Sequence, residues 1–362
     1  MVQRAPAYAS MVDAATADAL VEIAEEARAR ARQQDPGATE PVEDRYSEIL
    51  EALDWYLASG QPDMAYRLAS ALVPFWISST RIDDGDAWFE RALAARAGSE
   101  SSVARALYDH GYLVFWAGRY DLAQQRFTNA LASAERLGDS SLEALTLAGL
   151  ARVALNTDVD EAVRLLRRAL TLTKDLADSD PGRSSTLHVL GVALQMSGDL
   201  EAAREVMSAR LSMGRSSGDE FVVWVESANL SVVERRLGNL DRSEELALQA
   251  LRIVAAREDE MSIAWIVNGL AAVTAAREDA ERAATLIGMA DAMLDRAGGE
   301  WPPDERQQHD ETLTTLAAAL PRDTLTDARA RGAGFSVTDG VEYAVPRRAE
   351  QPRPSRLEWT RS

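Results

Sequence analysis

Apolar residues recur along most of this chain at spacings of three and four, the period of a helix with one buried face; strand-like alternation is almost absent. After Gly118, the series Leu122, Phe127, Ala130, Leu131 and Leu137 ends at Gly138-Asp139, which predicts an amphipathic helix with a glycine stop. A second helical pattern, residues 103–116, runs up to the same Gly118. The string after the glycine, Tyr120-Asp121-Leu122-Ala123, returns as Leu200-Glu201-Ala202-Ala203 after Gly198 and as Leu240-Asp241-Arg242-Ser243 after Gly238. Asp158-Val159-Asp160-Glu161-Ala162 after Thr157 and Asp279-Ala280-Glu281-Arg282-Ala283 after Glu278 have the same form. These anchors stand 39, 41, 40 and 40 residues apart, and an earlier one at Thr80 lies 38 residues upstream. Acidic residues just after each turn suit a helix N-terminus, where they complement its dipole and unpaired N–H groups. Helix–turn–helix units at a constant period of about forty residues predict an all-α solenoid.

Small residues identify the type of unit. Seven residues before the anchors stand Gly111, Gly191, Ser231 and Ala271; five after stand Ala123, Ala162, Ala203, Ser243 and Ala283. Glycine inside a helix costs about 1 kcal/mol relative to alanine, so its use there implies that bulk is excluded where two helices cross. Twelve residues after the anchors come Ala130, Ala169, Ala250 and Ala290, with Arg210 the exception. Phe127, Leu166, Met207 and Ile287 fall between and would fill the gaps. This is the tetratricopeptide (TPR) pattern, lengthened from 34 to about 40 residues. The expected fold is a right-handed α-solenoid of about six such repeats, with the copy at Thr157 irregular because Leu150 stands where a small residue belongs.

Composition narrows the chemistry. Of 362 residues, 58 are acidic and 39 basic, a formal charge of −19 that opposes contact with nucleic acid or anionic lipid. Lys174 is the sole lysine and follows no glycine-rich loop, so a P-loop is excluded and a Schiff-base lysine is not expected. The absence of cysteine removes thiolate metal sites, disulfides and cysteine nucleophiles. The three histidines, His110, His188 and His309, are far apart and in no ligand spacing, so no metal or cofactor is expected. The opening residues lack a signal-peptide core, and uncharged runs such as 68–80 fall short of the roughly 18–20 residues of a membrane span. A soluble, cytoplasmic protein is expected.

The chain also resembles, over roughly residues 40–345, the TPR region of actinobacterial multidomain regulators related to LuxR-type and antibiotic-pathway activators. The likeness rests on Ile49-Leu50-Glu51-Ala52-Leu53-Asp54-Trp55, residues 65–76 and Trp88-Phe89-Glu90-Arg91-Ala92-Leu93 at one end. At the other it rests on Ala283-Ala284-Thr285-Leu286-Ile287-Gly288, Pro302-Pro303 and residues 332–343. Those regulators join such an array to a signal-transduction NTPase and a DNA-binding or cyclase domain, neither of which has motifs here. The resemblance therefore implies the sensing and interaction part, with a separate NTPase or DNA-binding regulator as a candidate partner. The expected boundaries are 1–40 (an amphipathic helix, 16–32, that could cap the solenoid or have joined another domain, and a linker), 41–298 (repeat array), 299–345 (capping segment) and 346–362 (a disordered tail with five arginines and three prolines).

Catalytic signals are weak. Gly214-Arg215-Ser216-Ser217-Gly218 fits the Gly-x-Ser-x-Gly elbow, but that motif needs a strand-to-helix turn and here follows a helix, so a loop between repeats is expected. Asp83, Asp84 and Asp86 lack calcium-loop spacing and are read as helix capping. The concave groove of a TPR array, lined by the first helix of each repeat, is the better candidate. Ligand-facing offsets about 13, 10, 6 and 3 residues before the anchor, as in TPR proteins, select Arg105, Tyr108, Tyr112 and Phe115, then His188 and Gln195, then Arg235, then Trp265 and Asn268. Aromatics flanked by arginine and amide groups suit an extended peptide, although the same aromatics could simply fill core between repeats. The basic clamp of chaperone-type TPRs is missing, so capture of an acidic C-terminus is not expected. The reading is a noncatalytic scaffold that binds a protein or peptide in transcriptional or signalling regulation. A small-molecule sensor is the alternative, and a hydrolase built on Ser216 a remote one.

Overall fold

Aspartates open four alternate helices: the carboxylates of Asp139, Asp180, Asp219 and Asp259 each accept the backbone N–H three residues on. Asp158, Asp199 and Asp279 do the same for the helices that follow them. Each satisfies one of the N–H groups that a helix start leaves unpaired. In the computed structural model, residues 12–345 are described apart from positions 34, 36, 80, 258 and 302. Among them are eighteen helices and no strand. They form two compact units, Met1–Leu237 and Gly238–Ser362.

The first unit contains α1 (Ala14–Arg32), α2 (Glu40–Asp44), α3 (Tyr46–Ala58), α4 (Pro62–Ser78), α5 (Ile82–Ala94) and α6 (Glu100–Trp116). It continues with α7 (Tyr120–Leu137), α8 (Ser140–Ala154), α9 (Val159–Leu172), α10 (Pro181–Ser197), α11 (Leu200–Ser217) and α12 (Glu220–Arg236). Successive helices pack as hairpins, α6 on α7, α8 on α9 and α10 on α11, and first helices also touch first helices, α4 to α6 and α8 to α10. The N-terminal helix α1 packs on α3 and α4 and buries Leu20, Val21 and Ala24 in their common core with Tyr56, Leu72 and Trp76. It thus shares one core with the helices that follow it.

The second unit holds α13 (Leu240–Ala255), α14 (Glu260–Ala276), α15 (Ala280–Arg296), α16 (Pro303–Ala319), α17 (Arg322–Ala333) and α18 (Val337–Ala344). Here α15 and α17 meet at backbone contact. A Cβ on Gly332 would lie 1.9 Å from the Thr285 carbonyl oxygen, and one on Gly288 2.0 Å from that of Arg329. Only glycine permits this crossing, which explains Gly288 in α15 and Gly332 in α17.

The expected turns fall between helices, with Gly118, Gly198 and Gly238 at φ of 72°, 87° and 83°. Glu278 takes the same left-handed conformation, φ 65°, without being glycine. Thr80 and Pro302 lie outside the described residues, as does the tail from residue 346. The small positions are buried as the pattern requires: a Cβ on Gly111 would meet the Phe127 ring at 2.9 Å, and one on Gly191 would meet Met207 at 2.7 Å.

Three details differ from the expectation. Around Thr157 the turn carries one residue more than that at Gly118, and the close approach falls at Gly149, where a Cβ would lie 2.7 Å from the Phe127 ring. Leu150 instead packs half-buried on the same cluster. The Gly214–Gly218 string is no loop: α11 runs to Ser217, Gly218 closes it at φ 71°, and the Ser216 hydroxyl donates to the Ser212 carbonyl at 2.9 Å. Asp83 and Asp84 occupy the first turn of α5, but its N-cap is Arg81, and no side chain caps it.

Candidate functional site

Side chains from α6, α8, α10 and α12 continue one another along the face made by first helices in the first unit. On α6, positions 105, 108, 109 and 112 are three or four apart and share a face. The Arg105 guanidinium lies over the Tyr108 ring at 5.5 Å, and Tyr108 and Tyr112 stack nearly parallel at 6.2 Å. Arg152 of α8 reaches the Tyr112 ring at 5.9 Å. Tyr108 is nearly buried, and burial pushes its hydroxyl well above the usual tyrosine range. Tyr112 and Phe115 are half-buried and bracket Trp116, which is 49% exposed.

Beneath the stripe, Asp109 is buried at the centre of a polar network. Arg105 donates from Nε to both of its oxygens at 3.0 Å, and the Ser70 hydroxyl of α4 donates to Oδ2. Further along, Glu226 of α12 is fully buried. Its Oε1 accepts from Arg210 Nη1 of α11 and contacts His188 Nδ1 of α10 at 2.8 Å. Burial holds the His188 imidazole below its ordinary pKa, against the opposing pull of Glu226. A neutral histidine beside an acceptor-only carboxylate must carry its proton on Nδ1, which leaves Nε2 as a hydrogen-bond acceptor. Among the described residues, Glu226 Oε2 has no hydrogen-bond partner, nor does the buried Thr186 hydroxyl of α10.

Each expected groove residue can now be placed. Arg105, Tyr108, Tyr112, Phe115, His188, Gln195 and Arg235 lie on first helices of the first unit, and all but Tyr108 are partly exposed. Gln195 also offers its backbone carbonyl to Arg236 at 2.8 Å. Trp265 and Asn268 stand on α14 in the other unit. Asn268 is fully buried, its amide donating to the backbone and carboxylate of Glu305 in α16 at 3.1 and 2.9 Å, so it is closed to solvent by the capping segment. Asp109, Arg152 and Glu226 stand on the same first helices and escaped the offset rule, as did Arg210, which reaches Glu226 from α11. Arg210 carried a signal, since a charge in the alanine position of a second helix must find a partner on a neighbouring helix.

All three histidines sit in one arrangement: an acid shared with an arginine. His110 Nε2 meets Asp86 at 2.7 Å, and Arg119 donates to the other Asp86 oxygen at 2.7 Å. His309 Nε2 meets Asp291 at 2.9 Å, with Arg329 on its second oxygen at 2.9 Å. Asp86, Glu90 and His110 are close enough together to hold a metal ion, but Arg119 pairs with Asp86 and Arg126 with Glu90.

Residues 102–175 match the tetratricopeptide repeat family. That span is α6 to α9. Among solved structures, the apo form of the quorum sensor NprR from B. thuringiensis is similar at 16% identity and TM-score 0.52, over 86% of this chain and 83% of that one. NprR in complex with its cognate peptide NprX is similar at 11% identity and TM-score 0.50, over 83% and 86%. A Rap protein complexed with competence and sporulation factor is similar at 14% identity and TM-score 0.52, over 91% and 95%. At such identities the likeness is one of fold, and the fold is an all-α solenoid of TPR-like hairpins. No curated protein sequence matches the chain. Among the described residues, no helix is long and apolar enough to cross a membrane.

Proposed function

We propose that this chain is a noncatalytic regulatory scaffold whose first-helix face binds a protein or peptide segment in extended form. The observation that carries the reading is the continuous stripe Arg105–Tyr108–Tyr112–Arg152, followed by the open acceptor of His188. Stacked rings supply apolar area, and the arginines and imidazole supply groups that orient a peptide backbone. The fold neighbour NprR, solved in complex with its cognate peptide NprX, supports a peptide as the ligand class. The resemblance to actinobacterial regulators supports a place in transcriptional or signalling control, with a separate NTPase or DNA-binding protein as the module's partner. Hydrolysis at Ser216 has no support: its hydroxyl is tied to its own helix, and every histidine is paired to an acid elsewhere.

A random decapeptide library passed over the immobilised full chain, with bound species read by mass spectrometry and titrated by calorimetry, tests the reading. Retained peptides should bind at least about tenfold more weakly to Tyr112→Ala and His188→Ala, as expected for loss of central contacts, and unchanged to Arg204→Ala on the outer face of α11. Retention of no peptide, or equal binding by all three variants, would refute it.

A further inference from the structure

A cavity of about 370 Å³ at the α1, α4 and α6 end of this face is lined by Arg28, Arg67, Ser70, Ser101, Ser102 and Arg105. Glu25 and Asp63 also border it, and both are engaged. Glu25 fills the fork of Arg67 with two bonds of 2.7 and 2.6 Å, and Asp63 accepts the Ser99 backbone N–H at 2.8 Å. The other two guanidinium groups are not filled. Among the described residues, Arg28 makes one hydrogen bond, Nη1 to the Ser70 carbonyl at 3.0 Å, and meets no carboxylate directly. Arg105 uses Nε on Asp109, and among the described residues its terminal nitrogens have no hydrogen-bond partner. Across the lining the formal charges balance, Arg28, Arg67 and Arg105 against Glu25, Asp63 and the adjoining Asp109, but Glu25 is paired to Arg67 and Asp63 is turned to a backbone N–H, so Arg28 and Arg105 share the buried carboxylate of Asp109. Burial and the neighbouring Arg105 weigh against the charged form of Arg28, and Asp109 only partly offsets them. Like charges held together at a partly desolvated site, with unspent N–H donors, are the chemistry that takes up an oxyanion.

We propose that this cavity is an oxyanion site, in which Arg28 and Arg105 together bind a carboxylate or phosphate group of the ligand. Ser101 and Ser102 lie in reach of the same space, and the Arg105–Tyr108 contact joins it to the aromatic stripe. Arg28 belongs to α1, which precedes the repeats, so the offsets counted from the turns did not select it. The site rests on the peptide reading for the body of the ligand, not for the anion pocket itself.

The test uses the full chain and Arg28→Gln. Arg28 is the residue to change because its one bond is to a backbone carbonyl, whereas removing Arg105 would strand the buried Asp109. Arg28→Lys, which keeps the charge and loses the fork, controls for folding, as does the far-ultraviolet circular dichroism of each variant. Two probes are applied at fixed ionic strength: inorganic phosphate, and a decapeptide library in free-acid and C-terminally amidated forms. If the anion is a carboxylate, free-acid peptides should be retained about tenfold better than amidated ones by the wild type, with the preference lost in Arg28→Gln. If it is a phosphate, inorganic phosphate should raise the melting temperature of the wild type above that in chloride, and not that of Arg28→Gln. Phosphate stabilisation with no peptide retained would support the anion site and refute the peptide reading. Peptides bound equally in both forms, with no phosphate effect, would refute the anion site and leave the peptide reading standing. A folded Arg28→Gln that matches the wild type with every probe would also overturn the proposal.

Discussion

Arg210 and Glu226 show at the level of single residues how this face is built. Both are buried, so each depends on the other: an ion taken out of water is tolerated only when its charge and hydrogen bonds are met. Arg210→Ala should cost about 3–5 kcal/mol by leaving Glu226 uncompensated, measured by urea unfolding. The double variant Arg210→Met with Glu226→Gln should recover part of that loss, since it removes both charges. The histidines differ in sign from site to site. At His309, burial lowers the pKa but the hydrogen bond and charge of Asp291, aided by Asp310, outweigh it and the value is raised. A raised folded pKa stabilises fully below the free value near 6.5 and is lost as pH climbs through the folded value. At His110 and His188 burial prevails and the pKa is lowered. There the unfolded chain takes up protons first, so stability falls as pH drops below about 6.5. Between pH 8 and pH 5.5, hydrogen-exchange protection should therefore fall around α6 and α10 and rise around α16, with His309→Gln abolishing only the rise. The same shift at all three sites would contradict these environments.

The helices carry their own constraints, and the glycines rank them. At Gly111 an added methyl group meets the edge of a phenyl ring, which can shift, whereas at Gly332 it meets backbone that cannot. Gly332→Ala should thus cost more than Gly111→Ala, about 3 kcal/mol or above against about 1 kcal/mol, by comparison of unfolding midpoints. Glu278 poses the converse case: a side chain held at φ 65° carries a penalty of about 1 kcal/mol, so Glu278→Gly should be neutral or stabilising despite glycine's greater entropy loss. Most of this level was legible in the sequence, because turns, caps and small positions are local and repeat every forty residues. What was not legible involved either insertion or distance. One extra residue near Thr157 moved the close contact from position 150 to Gly149, and nothing local marked the serine string as the last turn of α11. In the candidate site the regular offsets found the stripe on α6 and His188. They missed Glu226, Asp109 and Arg28, whose roles depend on which helices pack together.

At the scale of the whole chain, packing between helices is a matter of neighbours, and stability in such arrays is close to a sum of local units and their interfaces. The buried aromatic core of α1, α3, α4 and α5 shares no residue with the glycine crossing of α15 and α17. A lesion in one should therefore not be felt uniformly. Hydrogen exchange read by mass spectrometry on Gly332→Ala should show lost protection in α14 to α18 and little change in α4 to α8, and Leu72→Ala the reverse. Ligand binding should follow the same rule in the opposite direction. A peptide on the first-helix face of the first unit would raise protection in α6, α8 and α10, by an amount set by its concentration relative to Kd, and less in α15 and α17. Equal gains throughout would mean that the array responds as one cooperative body, and the face could then not be treated as a local site.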